Sequence, residues 1–204
     1  MTGLPHAVII AGGAGARLGG VRKGDLRIGN QRLLERVLAA LGPVQSPVLV
    51  GMGPAPQRLV LPPDCFAVPD LADTPGGPLA GLLAAVKYLA EKGITRGPLV
   101  SVAVDTPFLP QDFVALLESG LGAAPAAYAA WGDDFYPPNA LWRLEALQSL
   151  VSGAQAVAPP ASLKALQQAL GAVRVDWCPR AKANPFANLN TVKDLIALQN
   201  RANG

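Results

Sequence analysis

A glycine-rich stretch directly after a short apolar run constrains the fold of this chain more than any other feature. Residues 7–10 are apolar and predict a buried β-strand, and residues 12–20 then consist largely of glycine. Glycine lets backbone N–H groups approach an anion closely, and Arg17 and Lys23 add two positive charges to the same segment. Together these features predict a phosphate-binding loop at the carboxyl end of the strand.

The spacing of the glycines excludes two familiar phosphate-binding loops. The P-loop pattern G-x-x-x-x-G-K-[ST] fails because Gly20 is followed by Val21 and Arg22. The dinucleotide-binding pattern G-x-G-x-x-G fails because Leu18 stands at the position of the third glycine. A surface turn without a ligand is the remaining alternative, but such turns rarely carry two cations after a core strand.

Composition favours a single cytoplasmic domain and excludes several classes of protein. The 204 residues carry a formal net charge of +3, and the basic residues are scattered, so we expect no nucleic-acid partner. No apolar run approaches the length of a membrane span, so we expect no membrane partner. A zinc site is not expected either, because Cys65 and Cys178 are far apart and His6 is the only histidine.

Alternating strands and helices predict the fold class. The apolar pattern predicts strands at residues 7–10, 47–50, 66–69 and 99–104, helices at 33–41, 81–89, from 111 and from about 191, and one more strand around Tyr128 and Trp131. Such alternation is typical of an α/β fold, here a single domain whose mostly parallel sheet carries helices on both faces. Because ligands bind at the carboxyl ends of such strands, we expect the loops that follow them to meet at one crevice.

Two acidic residues follow predicted strands at this edge of the sheet. Asp105 comes directly after the strand at 99–104, where its carboxylate would face the crevice. One such carboxylate together with substrate phosphates is sufficient to bind Mg²⁺, although a turn or helix-start role is the alternative. Asp70 follows the strand at 66–69, and Asp73 competes with it for a role at the same edge.

Four motifs occur in the order that one enzyme family shows. They are the loop at residues 10–24, G-P-L-A-G at 77–81, D-T-P-F-L-P at 105–110 and N-L-N-T-V-K-D-L at 188–195. In these motifs the chain resembles the molybdenum cofactor guanylyltransferases, the MobA-type nucleotidyltransferases, over about residues 5–200. The resemblance implies a Rossmann-like nucleotidyltransferase fold with a nucleotide-binding half at about 1–110 and an acceptor-binding half at about 111–204.

The same resemblance implies an activity and the residues that carry it. The implied reaction transfers GMP from GTP to molybdenum-bearing molybdopterin, releases pyrophosphate and forms the guanine dinucleotide cofactor. Mg²⁺ is the implied cofactor, and other molybdenum cofactor biosynthesis proteins and apo-molybdoenzymes are the implied further partners. The implied catalytic residues are Lys23, Asp105 and Arg17, with Asp105 also the metal ligand. The implied nucleotide-binding residues are Ile10, Ala11, Gly12, Gly13, Lys23, Asp70 and Asp105.

Residues near the C-terminus are implied to bind the acceptor. These are Asn188 and Asn190, for which capping of a helix that begins near Thr191 is the alternative. Two departures from the family pattern affect this half, since Tyr136 stands where a histidine is common and Val192 where a proline is common.

A third departure lies in the loop, and alternatives to the leading function remain open. Arg22 occupies a position where aspartate is common, and it either adds phosphate affinity or pairs with Asp25 at the surface. The motifs favour GTP over CTP. The alternatives are a related transferase that uses CTP or a sugar-phosphate acceptor, and a non-catalytic GTP-binding partner of molybdoenzyme maturation.

Overall fold

The computed structural model describes residues 3–12, 21–53, 59–71, 74, 76–152, 158 and 160–203. The strands are β1 (His6–Ile10), β2 (Arg27–Ile28), β3 (Gln31–Arg32), β4 (Val48–Gly51), β5 (Cys65–Val68), β6 (Pro98–Ala103), β7 (Ala126–Trp131), β8 (Asp134–Arg143) and β9 (Val173–Asp176). The α-helices are α1 (Leu33–Ala40), α2 (Gly77–Glu91), α3 (Phe113–Leu121), α4 (Leu144–Leu147), α5 (Leu163–Leu170) and α6 (Val192–Asn203). Within these described ranges, none of the helices is both long and apolar enough to cross a lipid bilayer.

Seven strands form one sheet in the order β5-β4-β1-β6-β8-β7-β9, and β2 and β3 form a separate two-stranded ribbon. Neighbours from β5 to β6 are parallel, β8 runs antiparallel to both β6 and β7, and β9 is parallel to β7. Only β8 therefore runs against the other strands of the seven. The expected mostly parallel sheet is confirmed.

Alternation of side chains along β1 builds two cores. Ala7 and Ile9 pack on one face of the sheet with apolar residues of α1 and α3. Val8 and Ile10 pack on the other face, mainly with α2, α4 and α5. These four side chains are buried, as the period of two along a strand requires when both faces of the sheet are covered. Helices on both faces of the sheet are thus confirmed.

The strand near residue 66 forms as expected, and it lies at the edge of the sheet, where it is partly exposed. Among the described residues, β5 pairs with β4 alone. Phe66 is 47% exposed, and its ring packs against Tyr88 of α2 with the centroids 4.9 Å apart. An apolar run of four residues carries no information about whether its strand is central or at an edge, so the sequence pattern alone could not distinguish them.

Backbone approaches closely at two places near the crevice, one just after β1 and one between the end of β4 and α2. A Cβ atom added to Gly12 would lie 2.7 Å from the Cα of Gly53, and one added to Gly51 would lie 3.2 Å from the Cα of Gly81. The first distance is a clash with backbone that cannot rotate away. Glycine at position 12 therefore lets the loop after β1 lie directly against the loop after β4.

We predict that Gly12→Ala destabilises the fold by roughly 1–3 kcal/mol, because the new methyl group overpacks a backbone contact. Urea unfolding of the purified variant measures the change. The control is Gly3→Ala, since nothing lies within 4 Å of a Cβ added at Gly3. Equal unfolding midpoints for the two variants would contradict the packing argument.

Candidate active site

A crevice of about 370 Å³ lies at the carboxyl ends of the parallel strands. The loops that follow β1, β5 and β6 meet there with the end of β4 and the N-terminus of α2, so the expected convergence at the carboxyl ends of the strands is confirmed. Its lining includes six of the predicted site residues, namely Ile10, Gly12, Lys23, Asp70, Asp105 and Asn188. Ala11 is not among the lining residues, and its N–H donates to the carbonyl of Gly51 at 2.8 Å. Gly13, Arg17 and Asp73 lie outside the described residues.

The ammonium group of Lys23 joins three distant segments of the chain. Its Nζ donates to Oδ2 of Asp105 at 2.5 Å and to Oδ1 of Asn190 at 2.6 Å. The side chains of Lys23 and Asp105 are 13% and 16% exposed, so this ion pair is largely shielded from water. The Coulomb attraction between two shielded charges is stronger than that between two exposed ones. Removing one partner of such a pair is destabilising, because the other charge is left without compensation.

Backbone hydrogen bonds hold Asp105 at the end of β6. The N–H of Val104 donates to the carbonyl of Ile10 at 3.1 Å, which continues the β1–β6 pairing up to the crevice. The N–H of Leu189 donates to the carbonyl of Asp105 at 3.0 Å and so ties the C-terminal segment to the same point. The segment that carries both asparagines is therefore fixed against the strand that carries the acid.

The start of α6 is capped by Thr191 and Asp194. Oδ2 of Asp194 accepts from the N–H groups of Asn190 at 3.0 Å and Thr191 at 2.8 Å, and Oγ1 of Thr191 accepts from the N–H of Asp194 at 3.2 Å. The hydrogen bond from the backbone of Asn190 is the main reason that the pKa of Asp194 is lowered. Because the cap is already complete, the Asn190 side chain binds Lys23 instead, and the capping alternative was wrong for Asn190.

Asp70 also lines the crevice and follows the end of β5 after one intervening residue, Pro69. The residue is half-buried, and this burial raises the pKa of its carboxyl group, while a hydrogen bond from the backbone of Gly53 partly offsets the effect. The ionised form therefore costs free energy in the folded protein. A carboxylate kept in such a place is typical of a binding site rather than of a stabilising contact.

Asn139 is a buried polar residue of the same crevice that no sequence motif predicted. Its Oδ1 accepts from the N–H of Ala103 at 2.9 Å, and Oγ1 of Thr106 lies 3.4 Å away. Its Nδ2 finds no hydrogen-bond partner in the part of the chain that the structure describes. The backbone pairing of β6 with β8 ends at Ser101 and Ala140, before Pro137 and Pro138 of β8. The Asn139 side chain therefore takes the place of a backbone acceptor for the N–H of Ala103. Only the pairing of these two strands reveals the role.

Arg22 does not form the surface pair that was one of its two expected roles. Asp25 pairs instead with Nη1 of Arg32 at 3.5 Å. Nη1 of Arg22 is buried and has no hydrogen-bond partner among the described residues. The other expected role, added affinity for phosphate, stays a prediction.

We predict that Asp70→Asn raises the free energy of unfolding near neutral pH, because the raised pKa shows that folding disfavours the charged carboxylate. The gain over wild type should vanish below the ordinary carboxyl pKa of about 4, where both folded and unfolded Asp70 are protonated. Urea unfolding at about pH 7 and about pH 3 measures it, with the exposed Asp112→Asn as control. A variant less stable than wild type at neutral pH would contradict the sign.

Comparison with known proteins gives a consistent assignment. The MobA-like NTP transferase domain matches residues 7–175. The chain is 37% identical to the molybdenum cofactor guanylyltransferase of Rhodobacter capsulatus, over 95% of this chain and 94% of the relative. It is 34% identical to that of Acidiphilium cryptum, over 95% of this chain and 93% of the relative.

Solved structures share the fold at low identity. Molybdopterin-guanine dinucleotide biosynthesis protein A from Archaeoglobus fulgidus aligns with a TM-score of 0.70 at 20% identity, over 97% of this chain and 98% of that one. A 2-C-methyl-D-erythritol 4-phosphate cytidylyltransferase from Thermus thermophilus aligns with a TM-score of 0.67 at 18% identity, over 98% of this chain and 100% of that one. On the strength of the domain match and the near full-length relatives, this chain belongs to the MobA-like NTP transferase family, alongside the molybdenum cofactor guanylyltransferases.

Proposed function

We propose that the protein transfers GMP from GTP to the phosphate of molybdenum-bearing molybdopterin and releases pyrophosphate. The observation that carries the proposal is the contact of Lys23 with Asp105 and Asn190 in the crevice that Gly12 also lines. The nucleotide and the acceptor are inferred from the near full-length relatives, which are named molybdenum cofactor guanylyltransferases. The product is the guanine dinucleotide form of the cofactor.

The reaction requires no protein nucleophile. An oxygen of the acceptor phosphate attacks the α-phosphorus of GTP, and the bond to the bridging oxygen of pyrophosphate breaks. A phosphate is already a nucleophile near neutral pH, so no strong general base is needed. His6 begins β1, about 13 Å along the strand from the crevice end, and so takes no part. Catalysis then rests on positioning and on charge neutralisation.

Lys23 supplies the positive charge within this scheme. An ammonium group has three N–H donors, and two of those of Lys23 are directed at Asp105 and Asn190. The third has no partner among the described residues and can donate to a phosphate oxygen of the nucleotide. Because Asp105 and Asn190 fix the position of Nζ before GTP arrives, little reorganisation is needed when negative charge develops at the α-phosphate.

The residues of the crevice fit a Mg²⁺ ion held together with the nucleotide. The described residues contain no group of three or more His, Cys, Asp or Glu side chains able to hold a metal by themselves. Mg²⁺ commonly binds through one or two carboxylates with water and substrate phosphates, and Asp105 provides one such carboxylate. When bound, the ion would neutralise charge on the phosphates. Asp105 would hold it while also orienting Lys23.

The two ends of the crevice take different substrates in this proposal. Gly12 and Asp70 belong to the nucleotide end, with Ile10, Ala11 and Gly13 as further nucleotide contacts and Arg17 as a further catalytic residue. Asn188 lies on the C-terminal segment and belongs to the acceptor end, with Asn190 beside it. The nucleotide-binding half at about 1–110 and the acceptor-binding half at about 111–204 follow this division. A cytoplasmic location, and contacts with other cofactor biosynthesis proteins and apo-molybdoenzymes, complete the proposal.

We predict that Lys23→Ala and Asp105→Ala each lower pyrophosphate release from GTP and molybdopterin by about 100-fold or more. Lys23→Ala removes the positive charge that faces the phosphates, and Asp105→Ala removes the carboxylate that orients Lys23 and would hold Mg²⁺. The matched controls are Lys87→Ala and Asp112→Ala, which change exposed residues outside the crevice and should retain wild-type rates. GTP, CTP, ATP and UTP are compared in the same assay.

Two outcomes would contradict this proposal in different ways. A clear preference for CTP would show that the base assignment is wrong while the reaction class holds. Binding of GTP with no release of pyrophosphate, in the presence of verified acceptor and Mg²⁺, would favour the non-catalytic alternative.

A further inference from the structure

Tyr136 is a polar side chain of the crevice to which the reaction scheme gives no role. It lies on β8, half-buried, and lines the same crevice as Lys23 and Asp105. Its hydroxyl oxygen accepts a hydrogen bond from Nδ2 of Asn184 at 2.6 Å. This contact, across 48 residues of sequence, decides where the hydroxyl hydrogen of Tyr136 can go.

The backbone fixes the orientation of the Asn184 amide. The N–H of Phe186 donates to Oδ1 of Asn184 at 2.9 Å. Since an N–H group must meet the oxygen of the amide, the nitrogen is the atom that faces Tyr136. Tyr136 is therefore the acceptor in the pair, and its own hydrogen is not used by Asn184.

The hydroxyl hydrogen of Tyr136 has no acceptor among the described residues, whose only hydrogen bond to this hydroxyl comes from Asn184. A phenol can accept and donate at the same time. Tyr136 thus presents an unused donor while its oxygen is held in place.

Aromatic packing holds the ring of Tyr136 as well. Its centroid lies 5.2 Å from that of Phe186, which is fully buried and packs edge-on against Trp177 at 5.1 Å. Nη1 of Arg201 on α6 donates to the carbonyl of Asn184 at 2.7 Å and so holds the backbone of Asn184 in place. A donor fixed on both its ring and its oxygen loses little entropy when it binds a ligand.

The strand order assigns this donor to one of the two substrates. β8 lies beyond β6, whereas the loops after β1 and β5 and the end of β4 form the nucleotide end on the other side of β6. We propose that the Tyr136 hydroxyl, oriented by Asn184, donates a hydrogen bond to the acceptor substrate and contributes to acceptor specificity. This inference rests on the proposed function. The ligand atom is a lone-pair oxygen or nitrogen, either on the acceptor phosphate or on its ring system.

The test measures dissociation constants for molybdopterin and for GTP by equilibrium dialysis, which does not depend on turnover. Tyr136→Phe should weaken molybdopterin binding by roughly three- to tenfold, the effect of one lost hydrogen bond, and leave GTP binding within twofold. Tyr88→Phe, on the surface of α2 outside the crevice, is the matched control and should change neither constant. Dephosphorylated molybdopterin shows which part of the acceptor receives the hydrogen bond. Tyr136→Phe should weaken the binding of this compound only if the ring system, and not the phosphate, accepts from Tyr136.

A second variant separates the donor role from mere packing. Asn184→Asp keeps an acceptor for the N–H of Phe186, but its carboxylate would accept the Tyr136 hydrogen and turn it away from the crevice. Molybdopterin binding should weaken as in Tyr136→Phe. In the Tyr136→Phe background the same change should add little, because no hydroxyl hydrogen remains to redirect.

Three results would overturn the inference. The first is unchanged molybdopterin binding in Tyr136→Phe, and the second is an equal loss of GTP binding. The third is an equal loss of molybdopterin binding when Asn184→Asp is made in wild type and in Tyr136→Phe. Such a loss would come from the added negative charge and not from the Tyr136 hydroxyl. Wild-type protein that binds no molybdopterin would overturn the proposed acceptor as well, whereas binding without pyrophosphate release would overturn only the proposed reaction.

Discussion

The candidate site depends on one partly buried ion pair, that between Lys23 and Asp105. Its Nζ–Oδ2 distance is 2.5 Å, and the third partner, Asn190, brings in the C-terminal segment. Both charged groups are largely shielded from water, so removing either one would leave the other charge without a partner in a poorly solvated place. The β1–β6 pairing places the acid, and the cap of α6 by Thr191 and Asp194 places the amide. Much of the surrounding architecture thus acts by holding three side chains together.

Other parts of the crevice are held at a cost in stability. The carboxyl group of Asp70 has a raised pKa, so its ionised form is disfavoured by the fold. Gly12 has no side chain to pack, because the backbone of Gly53 fills the space where one would lie. The two apolar cores on either face of the sheet offset these costs. Binding sites commonly combine a stable scaffold with groups that are not optimal for folding.

The sequence predicted the features that depend on local pattern and failed for those that depend on contacts between distant segments. Strand ends and glycine spacing were sufficient to bring Lys23 and Asp105 to one crevice. The T-x-x-D pattern at residues 191–194 was a readable capping signal, and it would have shown that the Asn190 amide is not the cap. By contrast, the orientation of Tyr136 by Asn184 depends on how β8 meets the C-terminal segment, and no spacing along the chain reveals it.

The geometry of this crevice implies attack at the α-phosphorus of GTP, and radioactive GTP tests this step. The GTP is labelled at either the α- or the γ-position, and the label is followed in the presence of molybdopterin and Mg²⁺. We expect the α-label in the acceptor product and the γ-label in pyrophosphate. Transfer of the γ-label to the acceptor, or its release as inorganic phosphate, would contradict nucleotidyl transfer.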